Sequence, residues 1–425
     1  MREHRKPEAK RTTVERASLC CESLLAELVF GQSLEAHLQF AVCESSTVTI
    51  RSSVTVKGQE VAPPRDPHRL VEKGVVLLAS GVSPYGSQAQ LVGELQAYIH
   101  RYADLPPFWE ELVTTYALMT WVYDRFSAVP YLRFLGEPQT GKSRLLQVVG
   151  HLCYKAIIAG GSTTASPLFR LLELYSGTFV ADEADFKNSE AWSEIIKILN
   201  CGYMRGLPVL RSEKVGDTYE PRAFDVFGPK IIANRSRFDD PALESRCLTL
   251  ETSERKMRTD IPRQLPPAFT SEAVLLRNKL LQWRFDNYQR IQVDESRLLD
   301  LEPRLTQIGT PIFSVSNDAN FRSRFLEFLG ECGVKDRAQR PQALVVEAIQ
   351  KLAQNNGHLL GIKEVAEEAS TLGRYSGEFL AFNPKRVGAL VRSLGFNSRR
   401  TNEGYKFEVD RQHLEELVQK YNVNL

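Results

Sequence analysis

Apolar and polar residues change their spacing several times along the chain. Near the amino end, Ser46-Thr-Val-Thr-Ile-Arg51 and Val54-Thr-Val-Lys57 alternate β-forming with polar residues, and Lys57-Gly58 marks a turn. The charged residues before about position 25 predict a partly disordered segment or a short helix. We therefore expect residues 1–103 to form a β-rich accessory region, and nothing in it specifies a ligand.

The middle of the chain alternates short apolar runs with helical periodicity. Helical spacing runs through Gln90–Ala103 and Trp109–Phe126. Five strand-like runs follow, separated by helix-like segments: Tyr131–Leu135, Lys155–Ala159, Thr178–Ala181, Pro229–Asn234 and Cys247–Leu250. This order predicts an α/β fold with a parallel, doubly wound sheet over residues 104–255, and such a sheet binds ligands at the carboxyl ends of its strands.

Helical spacing dominates the rest of the chain. Ser271–Ile291 carries a leucine-rich stripe and Phe321–Phe328 continues it, which predicts a helical lid and linker over residues 256–338. Residues 339–425 then show three helix-like runs and two strand-like runs: Ala343–Ala353, Ile362–Glu367, Asn383–Leu394, Gly395–Arg400 and Gly404–Glu408. That order resembles a winged helix-turn-helix domain.

Composition narrows the class of protein. With 425 residues, of which 43% are apolar, the chain is long enough for two to four domains. No apolar stretch approaches the roughly eighteen residues that a membrane span needs, so we expect a cytoplasmic protein. The seven cysteines are an odd number and include no C-x-x-C pair, which favours reduced thiols over disulfides or zinc. The net charge of +2 gives no electrostatic argument for nucleic acid, so any such argument must be local.

The first candidate site follows the Tyr131–Leu135 run. Gly136-Glu-Pro-Gln-Thr-Gly-Lys-Ser143 matches G-x-x-x-x-G-K-[ST] between a strand-like and a helix-like segment. Backbone N–H groups of such a loop point at phosphate oxygens, while Lys142 contacts the β- and γ-phosphates and Ser143 completes the coordination of Mg²⁺. The predicted residues binding ATP are Gly136, Glu137, Pro138, Gln139, Thr140, Gly141, Lys142, Ser143 and Arg144. A chance glycine turn is the alternative.

Two carboxylates follow the strand-like run that ends near Ala181. Asp182 is the predicted second Mg²⁺ ligand, together with Ser143, and Glu183 is the predicted base for the attacking water. An acidic pair at a strand end is often only a turn. Its pairing with the upstream loop favours a hydrolytic site.

Two further residues complete the predicted constellation. Asn234 ends the fourth strand-like run, where it orients the lytic water or senses the γ-phosphate, unless it only caps the next turn. Arg246 precedes the fifth run and is the predicted arginine that reaches the γ-phosphate of a neighbouring subunit. An ordinary surface ion pair is the alternative for Arg246.

These residues, in this order, resemble the AAA+ ATPases. Ala165-Ser-Pro-Leu-Phe-Arg170, Asp225-Val-Phe-Gly-Pro-Lys230 and Glu244-Ser-Arg246 are similar to the helicase-like ATPases of phages and mobile elements, which are related to superfamily III and minichromosome-maintenance helicases. The resemblance covers about residues 104–255. Pro138-Gln-Thr-Gly141 stands where that family often has serine or glycine before the G-K pair, and this departure touches no required position.

The resemblance also implies a role for the segment that precedes the strand ending at Asn234. Pro208–Tyr219 reads as a hairpin with its turn near Gly216-Asp217. In ring helicases an inserted hairpin at this place projects into the central channel, which implies that Lys214 and Arg211, and with them Arg205, contact the phosphates of a threaded strand. A solvated hairpin with ordinary surface charge is the alternative.

The carboxyl-terminal segment points to duplex DNA. Between Asn383 and Lys406 there are six basic residues and one acidic residue, Glu403, which leaves a local charge of +5. The residues predicted to bind DNA here are Lys385, Arg386, Arg392, Arg399 and Arg400. A winged helix used as a protein contact is the alternative.

Together the sequence predicts a mobile-element or phage-type AAA+ ATPase that works on DNA, a replicative helicase forming a hexameric ring. Two alternatives stay open: an ATP-dependent initiator or transposition-type loader that remodels nucleoprotein without unwinding, and a DNA-binding regulator whose assembly nucleotide switches. Strand displacement separates the first two, and loss of function in Glu183→Gln separates both from the third.

Overall fold

The computed structural model describes residues 13–21, 24–31, 37–66, 69–160, 163–182, 190–238, 240–253, 257–338, 341–375, 382–402, 404–421 and 423. By its internal contacts the chain divides into two compact units, Met1–Phe325 and Leu326–Leu425. The sequence-based boundaries at residues 103, 255 and 338 stay predictions.

Short strands fill the amino-terminal part of the first unit. They are β1 (Val14–Glu15), β2 (Ser18–Cys21), β3 (Leu24–Phe30), β4 (Leu38–Glu44), β5 (Thr47–Arg51), β6 (Val54–Val56) and β7 (Gln59–Ala62). Strands β2 to β5 pair in antiparallel order, and β7 lies between β1 and β6. The predicted turn is present, because Lys57 and Gly58 both adopt positive φ between β6 and β7. The expected disordered segment or short helix is wrong for Ser18–Cys21, which pairs with β3 along its whole length.

The α/β part of the first unit follows in chain order. Its elements are β8 (Val76–Leu77), α1 (Gln88–Tyr102), α2 (Pro107–Thr120), β9 (Tyr131–Leu135), α3 (Lys142–Gly150), β10 (Ala156–Ala159), α4 (Ala165–Tyr175), β11 (Phe179–Ala181), α5 (Glu190–Cys201), β12 (Val209–Val215), β13 (Thr218–Phe224), β14 (Lys230–Asn234), α6 (Pro241–Glu244) and β15 (Cys247–Glu251). A 3₁₀ turn at Tyr123–Arg125 follows α2.

The five predicted core strands form one parallel sheet in the order β15-β9-β14-β11-β10, and β8 adds an antiparallel edge beside β10. Every residue of β9 and β14 is buried, as expected for central strands covered on both faces. The order places β14 between the strand before the glycine-rich loop and the strand before Asp182. The carboxyl ends of these three strands therefore meet at one edge of the sheet.

Hairpin β12-β13 leaves the sheet between α5 and β14, with its turn at Gly216-Asp217 as predicted. Lys230, the first residue of β14, is buried, and its Nζ donates to the carbonyl oxygens of Gly202, Val226 and Gly228. These residues lie just before and just after the hairpin. Lys230 therefore anchors both ends of the insertion to the central sheet.

Three helices end the first unit and lead into the second: α7 (Pro267–Asn287), α8 (Pro303–Val315) and α9 (Ala319–Ala338). Helix α7 covers most of the predicted Ser271–Ile291 helix. Its Arg284 is 1% exposed and pairs with Glu27 of β3 and Asp124. Its Asn278 accepts hydrogen bonds from the backbone N–H groups of Ser80 and Gly81. A lid movement of α7 alone would break these buried contacts.

The second unit contains α10 (Pro341–Asn356), β16 (Leu359–Gly361), α11 (Ile362–Tyr375), α12 (Pro384–Ser393), β17 (Ser398–Thr401), β18 (Gly404–Glu408) and α13 (Arg411–Tyr421). The predicted three helices and two strands are found, whereas β16 and α13 were not predicted. The strands form an antiparallel sheet in the order β16-β18-β17. One apolar cluster, which includes Val345, Val365, Val391 and Phe407, joins the sheet to the helices.

Candidate functional site

The loop between β9 and α3 is shaped by its glycines. Gly141 precedes α3 with a φ of 87°, a conformation that costs glycine little. A Cβ atom on Gly136 would lie 2.4 Å from the carbonyl oxygen of Thr252, which follows β15. Thr252 also meets the loop directly, because its Oγ1 lies 2.7 Å from Oγ1 of Thr140. The edge strand therefore fixes the position of the loop.

Lys142 lies over its own loop. Its Nζ donates to the carbonyl oxygens of Gly136, at 2.5 Å, and Glu137, at 2.6 Å. The Glu137 carbonyl also accepts from Oγ1 of Thr140 at 2.8 Å. These two acceptors are neutral, and phosphate oxygens are stronger hydrogen-bond partners of a cation.

A cavity of about 340 Å³ opens at the carboxyl edge of the sheet. Three elements supply its chemistry: the loop and α3 provide Lys142 and Ser143, the end of β11 provides Asp182, and the end of β14 provides Arg235. Pro138, Gln139, Gly141, Arg144 and Ala233 complete the lining. Of the residues predicted to bind ATP or Mg²⁺, seven line this space: Pro138, Gln139, Gly141, Lys142, Ser143, Arg144 and Asp182. Gly136, Glu137 and Thr140 do not line it, and Glu183 lies outside the described residues.

Asn234 is the last residue of β14, between the loop strand and the acidic strand. Its side chain is 3% exposed, and its Oδ1 is buried with no hydrogen-bond partner among the described residues. Its backbone carbonyl accepts from the N–H of Gly136 at 3.1 Å. An unsatisfied buried amide oxygen is costly, so its retention beside this cavity points to a polar partner that binds there.

A second cavity of about 630 Å³ adjoins the first, and both are lined by Gln139, Gly141 and Arg144. Its far wall is formed by Asp104, Pro106, Leu250, Thr252 and Met257, among others. Arg144 was predicted to bind nucleotide, and its guanidinium donates to the carbonyl oxygens of Pro262, at 2.6 Å, and Arg263. Its polar contacts therefore hold the segment that follows Met257, while its side chain forms part of both cavity walls.

Three residues of this region had no predicted role in the site. Arg235 lines the smaller cavity with Lys142 and Asp182, and only its place directly after Asn234 signalled a role. Thr252 and Asp104 lie outside the segments from which site residues were predicted. Their positions follow from the pairing of β15 with β9 and from the loop before α2, which no local pattern reveals.

Arg246 lies at the opposite end of the sheet. Its carbonyl accepts from the N–H of Tyr131, the first residue of β9. Its guanidinium is turned inward: Nη1 donates to Oδ1 of Asn200 at 2.5 Å, and Cζ lies 4.1 Å from the ring centroid of Tyr203. Arg246 is therefore far from the cavity of its own chain, and the alternative of an exposed surface ion pair does not fit its 8% exposure.

The hairpin has two different faces. Arg211 faces inward, where its guanidinium meets Glu194 and lies 4.5 Å from the ring centroid of Phe169. Lys214 lies on the other face, opposite Tyr219, and both are exposed. Arg205 is exposed, and its guanidinium donates to the carbonyl oxygen of Asp124. Of the three predicted phosphate contacts of this region, Lys214 and Arg205 are exposed, whereas Arg211 is half-buried.

Basic residues cover one part of the second unit. Helix α12 begins at Pro384, capped by Asn383, whose Oδ1 accepts from the N–H of Arg386 at 2.9 Å. Of the five residues predicted to bind DNA here, Lys385, Arg386 and Arg392 are exposed on α12, and Arg399 and Arg400 are exposed on β17. All five belong to one compact unit.

No protein-family model and no curated protein matches this chain. Solved structures to which it is similar include the apo C-terminal region of NrS-1, at 10% identity and a TM-score of 0.39, covering 90% of this chain and 95% of that one. Cdc6p from Pyrobaculum aerophilum is similar at 11% identity with a TM-score of 0.25, covering 77% of this chain and 96% of that one. The JCV helicase is similar at 13% identity with a TM-score of 0.27, covering 57% of this chain and 68% of that one. All three TM-scores are below 0.5.

The described helices include none that is both long and apolar enough to cross a lipid bilayer. Those same residues contain no cluster of three histidine, cysteine or acidic side chains placed to bind a metal ion. A cation at the cavity would therefore need further oxygen ligands beyond Ser143 and Asp182, such as those of a phosphate group or water.

Proposed function

We propose that this protein is an ATP-hydrolysing motor of the AAA+ type that acts on DNA, and specifically a replicative helicase of a mobile element or phage. The observation that carries the proposal is the cavity at the sheet edge, where the lysine and serine of a glycine-rich loop meet a carboxylate from a neighbouring strand. Phosphoryl transfer needs mainly such positioning and charge neutralisation.

The residues present fit a nucleotide with Mg²⁺. Ser143 and Asp182 supply the hard oxygen ligands that Mg²⁺ prefers, and phosphate oxygens and water would complete its shell. When bound, Mg²⁺ neutralises charge on the phosphates. Lys142 leaves its two loop carbonyls for the β- and γ-phosphates, and Arg235 approaches the same phosphates from β14. The adjoining cavity of about 630 Å³ receives the ribose and base.

Asn234 and Glu183 act on the attacking water in two different ways. The unpaired Oδ1 of Asn234 accepts a hydrogen bond from that water and so orients it. Glu183, next to Asp182 in the sequence, accepts the proton. Asn234 ends β14, and Asp182, which precedes Glu183 in the sequence, follows the neighbouring strand β11.

The second unit supplies the contact with DNA. Its helix and strand order supports a winged-helix domain in which α12 lies in the major groove and the β17-β18 hairpin is the wing. The five exposed basic residues neutralise phosphates on either side. In the first unit, Lys214 at the exposed face of the hairpin contacts a single strand, whereas Arg211 supports the hairpin from behind.

The motor works as a hexameric ring. Arg246 lies at the far end of the sheet from its own cavity, so its guanidinium serves the nucleotide of a neighbouring copy. To do so it exchanges the amide of Asn200 for phosphate oxygens.

Strand displacement tests the proposal. Purified protein is expected to hydrolyse ATP faster with DNA present and to unwind a forked duplex, and Asp182→Asn should abolish both activities. Hydrolysis without unwinding would replace the helicase by a loader or remodeller. Absence of any hydrolysis by the wild-type protein would contradict the proposal as a whole.

A further inference from the structure

Two threonine hydroxyl groups meet beside the glycine-rich loop. Oγ1 of Thr140, within the loop, lies 2.7 Å from Oγ1 of Thr252, the residue that follows β15 and is 112 positions away in the chain. Both side chains are half-buried. A Cβ atom on Gly136 would lie 2.4 Å from the same Oγ1 of Thr252, so a glycine at this position lets the strand end approach the loop. A residue outside the G-x-x-x-x-G-K-S segment is therefore bonded to a side chain within it.

Each of these hydroxyl groups has a second partner. Oγ1 of Thr140 lies 2.8 Å from the carbonyl oxygen of Glu137, and Oγ1 of Thr252 lies 3.1 Å from the carbonyl oxygen of Leu135. The result is a row of three contacts with a carbonyl at either end. Each hydroxyl carries one proton, so the row has two protons for three contacts. Two oxygens at 2.7 Å need a proton between them, and one of the two end carbonyls therefore receives none from the row.

The two end carbonyls differ in their other donors. The carbonyl of Leu135 also accepts from the backbone N–H of Thr252 at 2.7 Å, so it stays paired whichever way the hydroxyls point. The carbonyl of Glu137 also accepts from Nζ of Lys142 at 2.6 Å. This second donor is present only while the lysine lies over its own loop. Once Lys142 moves away, the Glu137 carbonyl depends on Thr140.

We propose that Thr252 is a positioning residue of the nucleotide site and acts through Thr140. When Lys142 moves to a phosphate, the Thr252 hydroxyl donates to Thr140, and Thr140 donates to the carbonyl oxygen that the lysine has left. This inference rests on the proposed function, in which Lys142 binds the β- and γ-phosphates, and it adds a residue from the edge strand. The hand-over keeps the loop carbonyl paired, which lowers the free-energy cost of releasing the lysine. A chain of two hydroxyls also strengthens each of its hydrogen bonds.

The first test measures ATP affinity by calorimetry. Serine and alanine variants isolate the hydroxyl, because both remove the threonine methyl group. Thr140→Ala should bind ATP about fivefold more weakly than Thr140→Ser, since the carbonyl that the lysine leaves has no donor. Thr252→Ala should bind about two- to threefold more weakly than Thr252→Ser, because Thr140 loses its own donor. Thr55→Ala and Thr55→Ser, at an exposed position of β6, are the matched controls and should bind alike.

The double variant separates action through Thr140 from an independent structural role. If Thr252 acts through Thr140, then Thr252→Ala should cost no further affinity in the Thr140→Ala background. Additive losses would mean that Thr252 only holds the strand end against the loop, and would overturn the inference. Equal affinities within both serine and alanine pairs would overturn it as well, while ATP binding by the wild type would leave the proposed function standing.

A measurement without nucleotide tests the hand-over independently of the proposed function. Lys142→Met removes the ammonium group, so the Glu137 carbonyl depends on Thr140 with no ligand present. Thr140→Ala should then melt about 2 °C below Thr140→Ser in the Lys142→Met background, and at the same temperature in the wild-type background. Equal differences in the two backgrounds would overturn the inference. A difference confined to Lys142→Met, together with no ATP binding by the wild type, would contradict the proposed function and support the hand-over.

Discussion

Arg284 and Glu27 lie 257 positions apart in the chain and form a buried ion pair, with Nε of the arginine 2.8 Å from Oε1 of the glutamate. Each side chain is 1% exposed. The other oxygen of Glu27 lies 2.8 Å from Nζ of Lys155 and accepts from the hydroxyl of Tyr154 at 2.6 Å. This network joins β3, α7 and the start of β10, so the amino-terminal strands are part of the core around the sheet.

Replacing Glu27 should therefore destabilise the first unit severely. Glu27→Gln leaves Lys155 and Arg284 buried with less charge compensation, and removal of one partner from a buried pair costs about 3–5 kcal/mol. Urea unfolding followed by tryptophan fluorescence measures the loss. Glu44→Gln on β4, whose partner Arg51 is partly exposed, is the control and should unfold at the wild-type urea concentration. Equal midpoints for both variants would show that the network is unimportant for stability.

Asn234 should matter for turnover and little for stability. Because its Oδ1 has no partner within the structure, Asn234→Ala removes no hydrogen bond made by that oxygen and should leave the melting temperature almost unchanged. If the amide orients the attacking water, kcat should fall by about 10²-fold while nucleotide affinity stays the same. A large drop in melting temperature with normal kcat would instead assign Asn234 a structural role.

Local sequence patterns predicted the strands and helices better than the contacts among them. The G-x-x-x-x-G-K-S match between β9 and α3 located the loop that lines the cavity, because the chemistry of a phosphate loop requires consecutive residues. Arg133, in contrast, is a charged residue within an apolar run for which no partner was predicted, and it is fully buried and binds Glu244. The packing of Arg284 on Glu27 and of Arg304 on Tyr203 depends on how distant elements meet, which periodicity does not encode.

His151, the half-buried residue that follows α3, gives the protein an acid-sensitive contact. The ring packs 4.8 Å from that of Phe269, and burial lowers the pKa of His151 from 6.5 to about 4. Between these values the unfolded chain binds a proton that the folded chain does not, so stability is lost as pH falls from 6.5 towards 4. The slope reaches at most about 1.4 kcal/mol per pH unit.

Urea unfolding at several pH values tests this assignment. His151→Gln cannot take up the proton, so its stability should fall less steeply than that of the wild type between pH 6.5 and 4. The comparison at pH 7.5, where the imidazole is neutral in both states, corrects for lost packing against Phe269. Parallel pH profiles for the two proteins would mean that another group causes the acid sensitivity.

The basic residues of the second unit should set the salt dependence of DNA binding. Alanine at Arg399, Arg400 or Lys385 removes one phosphate contact each, and the slope of log K against log salt for a duplex should decrease by about one unit per residue. Arg411→Ala on α13, where the arginine lies 4.0 Å from Glu415, is the matched control. An unchanged slope in the triple variant would favour a protein partner for this surface.

ATP turnover by the purified full chain, measured with and without DNA, decides whether the sheet-edge cavity is a motor site. Lys142→Ala should lose nucleotide binding and turnover, because the ammonium group that meets the phosphates is gone. Lys197→Ala, which removes an exposed lysine paired with Glu194, should keep both. We expect wild-type hydrolysis that DNA accelerates and that only the Lys142 variant lacks. Equal turnover by Lys142→Ala and the wild type, or none by either, would contradict the account.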